Sequence, residues 1–373
     1  MFIGWAQAPR YRPKVRAEQT VYPCRHARPQ SRASIPLAMS RLEIPALARC
    51  RSLGRDDTSP PSWVREGATG NDGLLTLSAN LAILPHRNRG THMKLLRYGP
   101  AGREKPGILD SRGHIRDLSG IVDDITAEVV TPEGLARLAR TNIDDLPAVS
   151  GQPRLGVPLT GIGNFIAIGL NYTDHAEETG MAEPAEPIIF TKHLSCLSGP
   201  NDDVVLPKDS QKGDWEAELG FVIGTRAKNV SKDDALKHVA GYCVVNDVSE
   251  RHYQLERLGQ WVKGKSLDSF GPVGPWLVTA DEVPDPQDLS IWLELNGRRV
   301  QDGTTKNMIF GIAFLVSYLS QFMTLVPGDL VITGTPAGVG LGMKPPLFLK
   351  PGDVMHLGID GLGEQRQSVV RAG

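Results

Sequence analysis

Short apolar runs alternate with turns along most of this chain, and their spacing is more often that of strands than of helices. Runs at 93–98, 107–110 and 115–118 predict three short strands, the last two joined by the turn Ser111-Arg112-Gly113. Thr131-Pro132-Glu133 predicts a helix over 132–140, with Thr131 as N-cap and Pro132 at the first helical position. Residues 141–163 are loop-rich, with several Pro and Gly, and predict a boundary between a small amino-terminal β-rich domain at 93–157 and a larger one at 164–373. Beyond that boundary 165–169 is apolar throughout, as a buried strand requires. Runs at 188–190, 204–206, 215–223 and 241–247 read as further strands. The segment after Tyr172 is helical in type, and Ser231 opens a helix through Val239. Strand 291–295 closes on the hairpin dipeptide Asn296-Gly297. The run 308–322 predicts the longest helix, apolar nearly all round and therefore buried. Two Pro-Gly-Asp turns, at 327–329 and 351–353, introduce strands at 330–333 and 354–359. No regular βαβ alternation is present, so the pattern predicts an α+β fold with a mixed sheet, rolled or sandwiched, and not a doubly wound one.

Composition changes this picture at one place. The whole chain is nearly neutral, at −1, which gives no global reason to expect nucleic acid or a membrane as partner. Residues 1–92, however, carry 14 Lys+Arg against 6 Asp+Glu, and thirteen of the fourteen are Arg. The remainder carries 27 against 36. The first part also lacks periodicity and is broken by prolines, among them Pro9, Pro13, Pro23, Pro29, Pro36, Pro60 and Pro61, which predicts a largely disordered basic leader. It has the features of a transit peptide, of a basic interaction tail, or of translated sequence upstream of a start at Met93. The abrupt onset of organised pattern at Met93 favours the last. Cys24, Cys50, Cys196 and Cys243 form no CxxC pair, so a reducing, cytoplasmic setting is expected. The apolar stretch 308–319 is too short to span a membrane.

The candidate chemistry begins with Trp215-Glu216-Ala217-Glu218. A strand has period two, so Glu216 and Glu218 point to one face, where like charges repel unless a cation lies between them. The next apolar run ends in Asp247. Three carboxylates without soft ligands suit a hard cation such as Mg²⁺ or Mn²⁺; a solvated strand face is the plainer alternative. If a helix begins near Thr173, His175 and Glu178 lie three apart and touch, as a carboxylate-oriented base would or as an ordinary surface pair would. Residues 259–266 fit the phosphate-loop pattern G-x-x-x-x-G-K-S. A charged, helix-like segment precedes them and Gly271-Pro272 and Gly274-Pro275 follow, so that match is rejected as chance. The Gly-rich turn at 333–340 offers amides and the Thr335 hydroxyl to a carboxylate.

Taken jointly, GLNYTDHAEE (169–178), WEAELGFVIG (215–224), GYCVVNDVSER (241–251), WVKGKSLDSFGPVGPW (261–276) and PGDLVITGTPAGVG (327–340) resemble the fumarylacetoacetate hydrolase family from about Phe165 to Val370, with a fainter module from Met93. The resemblance implies a mixed β-roll, often homodimeric. It places a Mg²⁺ or Mn²⁺ triad on Glu216, Glu218 and Asp247, and a catalytic pair on His175 and Glu178 in a segment that closes as a lid. Lys265 would assist as a catalytic cation, and Arg251, Gln254, Thr335 and Lys192 would contact substrate. The implied activity is hydrolysis of a C–C bond in a 2,4-diketo acid with release of pyruvate, and the opening after Met93 looks most like the branch acting on deoxy sugar acids. Ureidoglycolate cleavage, isomerisation and decarboxylation occur on the same scaffold, and fold alone does not choose among them.

Overall fold

The computed structural model describes residues 92–373. The expectation of a basic leader falls, His92 apart, outside the described residues. Two sheets dominate. The larger has ten strands, in the order Ile115–Asp117, Lys105–Leu109, Lys94–Tyr98, Gly271–Thr279, Val239–Asn246, Ala217–Ile223, Leu330–Ile332, Phe165–Gly169 and Ile188–Thr191, with Leu197–Ser198 beside Gly271–Thr279. Leu330–Ile332 runs parallel to Phe165–Gly169 and antiparallel to Ala217–Ile223, so the sheet is mixed, as the pattern predicts. The smaller sheet has five strands: Arg298–Thr304, Ser290–Leu295, Val354–Ile359, Gly363–Arg371 and Val204–Leu206.

Ala217–Ile223 and Val239–Asn246 are buried along their whole lengths, which is why both read as continuous apolar runs instead of alternating ones. They pair antiparallel, with Glu218 opposite Val245 and Ala217 opposite Asn246. That register brings the start of one strand to the end of the other, and with it the acidic residues that flank each. The hairpin at Asn296-Gly297 forms as expected, with both residues at positive φ (53° and 78°). The strands expected to form a small amino-terminal domain join the large sheet directly, through Lys94 opposite Val278 and Leu95 opposite Leu277.

Two helices differ from expectation, and two strands form where the pattern predicts none. Ser231 opens no helix; Asp234 N–H donates to Ser231 Oγ at 3.2 Å, and only a 3₁₀ turn, Ala235–His238, precedes the core strand starting at Val239. The long helix starts four residues later than expected and spans Ile312–Phe322, capped by Gly311. It is not buried all round. Ile312, Leu315, Val316 and Leu319 face the core, while Phe314, Tyr318 and Phe322 stack along the other side, and Phe322 is 61% exposed. Gly271–Thr279 is a strand despite two prolines. Pro275 falls where the pairing with Val239–Asn246 shifts register, so it interrupts no ladder bond there. Gly363–Arg371 is a strand despite its polarity, because its inward residues are glutamines. Among the described residues no helix is long and apolar enough to cross a membrane.

Those glutamines fasten the two sheets together. Gln365 Nε2 donates to Val244 O (2.7 Å) and Gly274 O (2.9 Å). Gln367 Nε2 donates to Pro200 O and to Gln365 Oε1, and its Oε1 accepts from Asn246 Nδ2 at 3.1 Å. Both are essentially inaccessible. Gln367→Leu preserves volume but leaves Asn246 Nδ2 and Pro200 O without this partner. We expect a loss of about 1–3 kcal/mol, read as a lower urea midpoint at unchanged slope. An unchanged midpoint would show that the amides do not fasten the sheets.

Candidate metal and substrate site

Glu216, Glu218 and Asp247 are all buried, and a carboxylate oxygen from each lies within 4.8 Å of the others. The strand pairing causes this: Asp247 N–H donates to Glu216 O at 2.9 Å, continuing the ladder one step beyond Asn246. Asp214 was not anticipated, although it continues the same period of two ahead of Glu216 and Glu218. It too is fully buried.

Three cations answer these carboxylates. Lys265 Nζ lies between Glu216 Oε2 (2.6 Å) and Asp247 Oδ2 (2.7 Å). Lys192 Nζ donates to Asp247 Oδ1 at 2.5 Å and to Lys265 O. Arg251 Nε donates to Asp214 Oδ2 at 2.8 Å, and Nη1 to Gln254 Oε1 at 3.0 Å. Arg251 Nη2 sits 2.7 Å from Glu216 Oε1, close enough for ion pairing but out of hydrogen-bond alignment, so that buried donor has no hydrogen-bond partner.

The neutralisation is uneven. Burial opposes ionisation of Glu216, but Lys265 and Arg251 outweigh it and hold the carboxyl at about 2. Glu218 has no such contact. Burial, then the charges of Asp247 and Glu216, push it well above the usual carboxylate range, against the charge of Lys265 and the amide of Gly334, which donates to its Oε2 at 2.7 Å. A set of hard oxygen donors, with one carboxylate lacking an adjacent cation, fits a divalent ion such as Mg²⁺ or Mn²⁺.

The turn after Leu330–Ile332 organises the other side. Its amides do hold carboxylates, but the protein's own. Gly338 N–H donates to both oxygens of Glu178 (3.1 Å each), and Gly340 and Leu341 N–H donate to Asp214 (2.7 and 3.0 Å). The Thr335 hydroxyl donates to Ala217 O and accepts from Gln301 Nε2, both at 2.8 Å. Gly338 has φ +104°, and a Cβ there would lie 1.9 Å from Val300 O. The helix Thr173–Thr179 presents His175 and Glu178 as expected, with Nδ1 and Oε2 3.4 Å apart, and ends on Gly180 in the left-handed region. Asn171, also unanticipated, pins its start: Oδ1 accepts from Phe310 N–H (2.8 Å), while Nδ2 donates to Phe310 O (3.0 Å) and Thr333 O (2.8 Å). The signal was a lone Asn between a buried strand and a helix.

One cavity collects His175, Glu216, Glu218, Arg251, Gln254, Lys265 and Thr335. Glu178 stands behind His175. Lys192 was expected to contact substrate; it does not line the cavity and holds Asp247 from behind instead. The phosphate-loop pattern has a structural origin. Gly264 is required because a Cβ would lie 2.4 Å from Glu250 O, and Lys265 reaches carboxylates.

Fold and site together define a carboxylate-rich, hard-cation centre facing an imidazole–carboxylate pair. The model of the fumarylacetoacetate (FAA) hydrolase C-terminal domain matches residues 164–370. The chain is 60% identical to a protein of Burkholderia cenocepacia named as a hydrolase, over 75% of this chain and all of that one. It is similar to the fumarylacetoacetate hydrolase of Exiguobacterium antarcticum (37% identity, TM-score 0.68, 75% of this chain and all of that one). It is also similar to the maleylpyruvate hydrolase of Sphingobium sp. SYK-6, solved with manganese(II) and pyruvate (29% identity, TM-score 0.64, 75% and 100%). The chain belongs to the fumarylacetoacetate hydrolase family.

The raised Glu218 sets two signs. The folded protein holds this proton more tightly than the unfolded chain does. Its contribution to stability is therefore full below the ordinary carboxylate pKa and is lost as pH rises through the raised folded value. A cation must displace the same proton. We expect Mn²⁺ affinity to rise by up to about tenfold per pH unit until metal-free Glu218 ionises, with up to about one proton released. Calorimetry in phosphate and in Tris measures this, and equal apparent enthalpies in the two buffers would refute it.

Proposed function

We propose that the chain is a divalent-metal-dependent hydrolase of 2,4-diketo acids that releases pyruvate. The observation that carries the reading is the position of His175 in the cavity opposite the acidic triad, with Glu178 behind it. A bound Mg²⁺ or Mn²⁺ held by Glu216, Glu218 and Asp247 supplies Lewis acidity and orientation to the substrate's carboxylate end.

The protein's own residues do the rest. Glu178, fixed by Gly338 N–H, accepts from His175 Nδ1–H and leaves Nε2 as the base. Nε2 takes a proton from water as the oxygen adds to the 4-keto carbon. The C3–C4 bond then breaks with its electron pair remaining on C3, which takes up a proton to give pyruvate, while C4 leaves as a carboxylic acid. Lys265 faces the negative charge that develops on the three-carbon fragment. Arg251 Nη2, the buried donor without a hydrogen-bond partner, is available to a substrate oxygen.

The decisive experiment assays the full chain with Mg²⁺ or Mn²⁺, and with EDTA as control, on diketo acids and ureidoglycolate. Metal-dependent pyruvate is expected. Glyoxylate with urea would move the protein to C–N cleavage, and silence on every diketo acid would overturn the reading. His175→Gln should lower kcat about 10²- to 10⁴-fold while Mn²⁺ affinity stays within a factor of two or so; full activity in that variant would dismiss His175 as the base. In Gly342→Ala the new methyl would fall 2.4 Å from Glu178 Cδ. Displacing Glu178 should cost on the order of a hundredfold in kcat with an unchanged unfolding midpoint, and wild-type kcat would show that the Glu178 position is immaterial.

A further inference from the structure

The cavity is lined by two kinds of group. Beside the acidic residues and their cations, the rest of its wall includes Leu170, Met181, Phe190, Leu255, Trp261 and Leu341. This wall is built and not incidental. The Trp261 ring lies directly on Gly169, where a Cβ would approach it to 2.4 Å, and Phe190 packs against it edge-on with centroids 5.3 Å apart.

The charged groups that reach the cavity are paired within the protein, and the donor left over, Arg251 Nη2, is the one assigned above to the diketo acid itself. Its two cations, Arg251 and Lys265, are paired with Asp214, Glu216 and Asp247, and no further Lys or Arg lines it. Thr179 also lines it, but its hydroxyl donates to His175 O at 2.8 Å. A hydroxylated tail lying along the wall would meet carbon, at roughly ten- to hundredfold in affinity for each group left without a partner. A tail carboxylate would find no free cation. An alkyl or aryl tail would bury its surface at no such penalty, gaining about three- to fourfold per methylene.

From this juxtaposition of paired cations and a largely aromatic–aliphatic wall, we propose that the substrate carries an apolar acyl group on the side of the 4-keto carbon remote from its carboxylate. The polyhydroxylated tail of a sugar acid and a second carboxylate are both excluded as the preferred tail. The inference rests on the keto-acid reading above and specifies its substrate class. Met181 is 53% exposed, and it follows Gly180 at the edge of the wall, so a charge can be introduced there without disturbing the core.

The test measures kcat/KM of the full chain with Mn²⁺ on diketo acids whose tails are methyl, propyl, pentyl, phenyl, dihydroxypropyl and carboxyethyl. We expect a rise of about threefold per methylene from methyl to pentyl, with the hydroxylated and carboxylated tails at least about tenfold below propyl. Met181→Arg should narrow or reverse the gap between the carboxylated and alkyl tails. A wild-type preference for the hydroxylated or carboxylated tail, or indifference to tail chemistry, overturns the proposal. The same tails are also placed on 2-oxo acids that lack the 4-keto group, and their binding to the Mn²⁺-loaded chain is followed by calorimetry. Tighter binding of alkyl tails supports the apolar wall even where no diketo acid turns over, a failure that would fall on the hydrolase reading alone. Flat or inverted affinities in this series overturn the wall itself.

Discussion

Everything near the site follows from burying like charges together. Asp214, Glu216, Glu218 and Asp247 have almost no contact with solvent, and an unpaired buried charge costs several kcal/mol. Three cations answer them, each reaching in from a different element: Lys192 after Ile188–Thr191, Arg251 at the start of Arg251–Leu255, and Lys265 at the end of Val262–Lys265. The shortfall of positive charge falls on Glu218, which stays protonated more readily than Glu216. A divalent ion there would complete the charge balance that the protein leaves unfinished.

The same constraint explains the glycines of the turn after Leu330–Ile332. Amides at 334, 338, 340 and 341 each donate to a carboxylate of the site, and at Gly340 a Cβ would itself approach Asp214 Oδ1 to 2.7 Å. At Gly338 both the positive φ and the nearby Val300 carbonyl exclude a Cβ. One turn therefore holds Glu218, Asp214 and Glu178, so Glu178 and the acidic centre share a single support.

Much of this was legible in the chain. The period of two at Glu216 and Glu218, the carboxylate ending the next strand, and the three-residue spacing of His175 and Glu178 all translate into geometry, and burial is what separates them from a solvated strand face or a surface pair. Tertiary context hid the rest. Gly363–Arg371 gives no strand signal because two of its core-facing residues are glutamines, whose burial makes sense only once Val244, Gly274 and Asn246 stand opposite. Gly271–Thr279 gives none either, because the bulge that accommodates Pro275 exists only in the paired sheet. Lys192 looks like a substrate contact until the structure shows its ammonium turned to Asp247 and away from the cavity. The stripe Phe314, Tyr318 and Phe322 suggested a buried helix because apolarity alone does not distinguish an inner face from a stacked outer one.

The glutamines of the final strand also have a bearing on timing. Asn246 accepts the Glu216 N–H through Oδ1, at 3.2 Å, and is itself held by Gln367. Synthesis proceeds from the amino end, so Glu216, Glu218 and Asp247 are all made before the amide that steadies their frame. The frame of the acidic centre is thus completed by a strand that arrives after its last carboxylate, and the cluster takes its final form only once Gly363–Arg371 has docked.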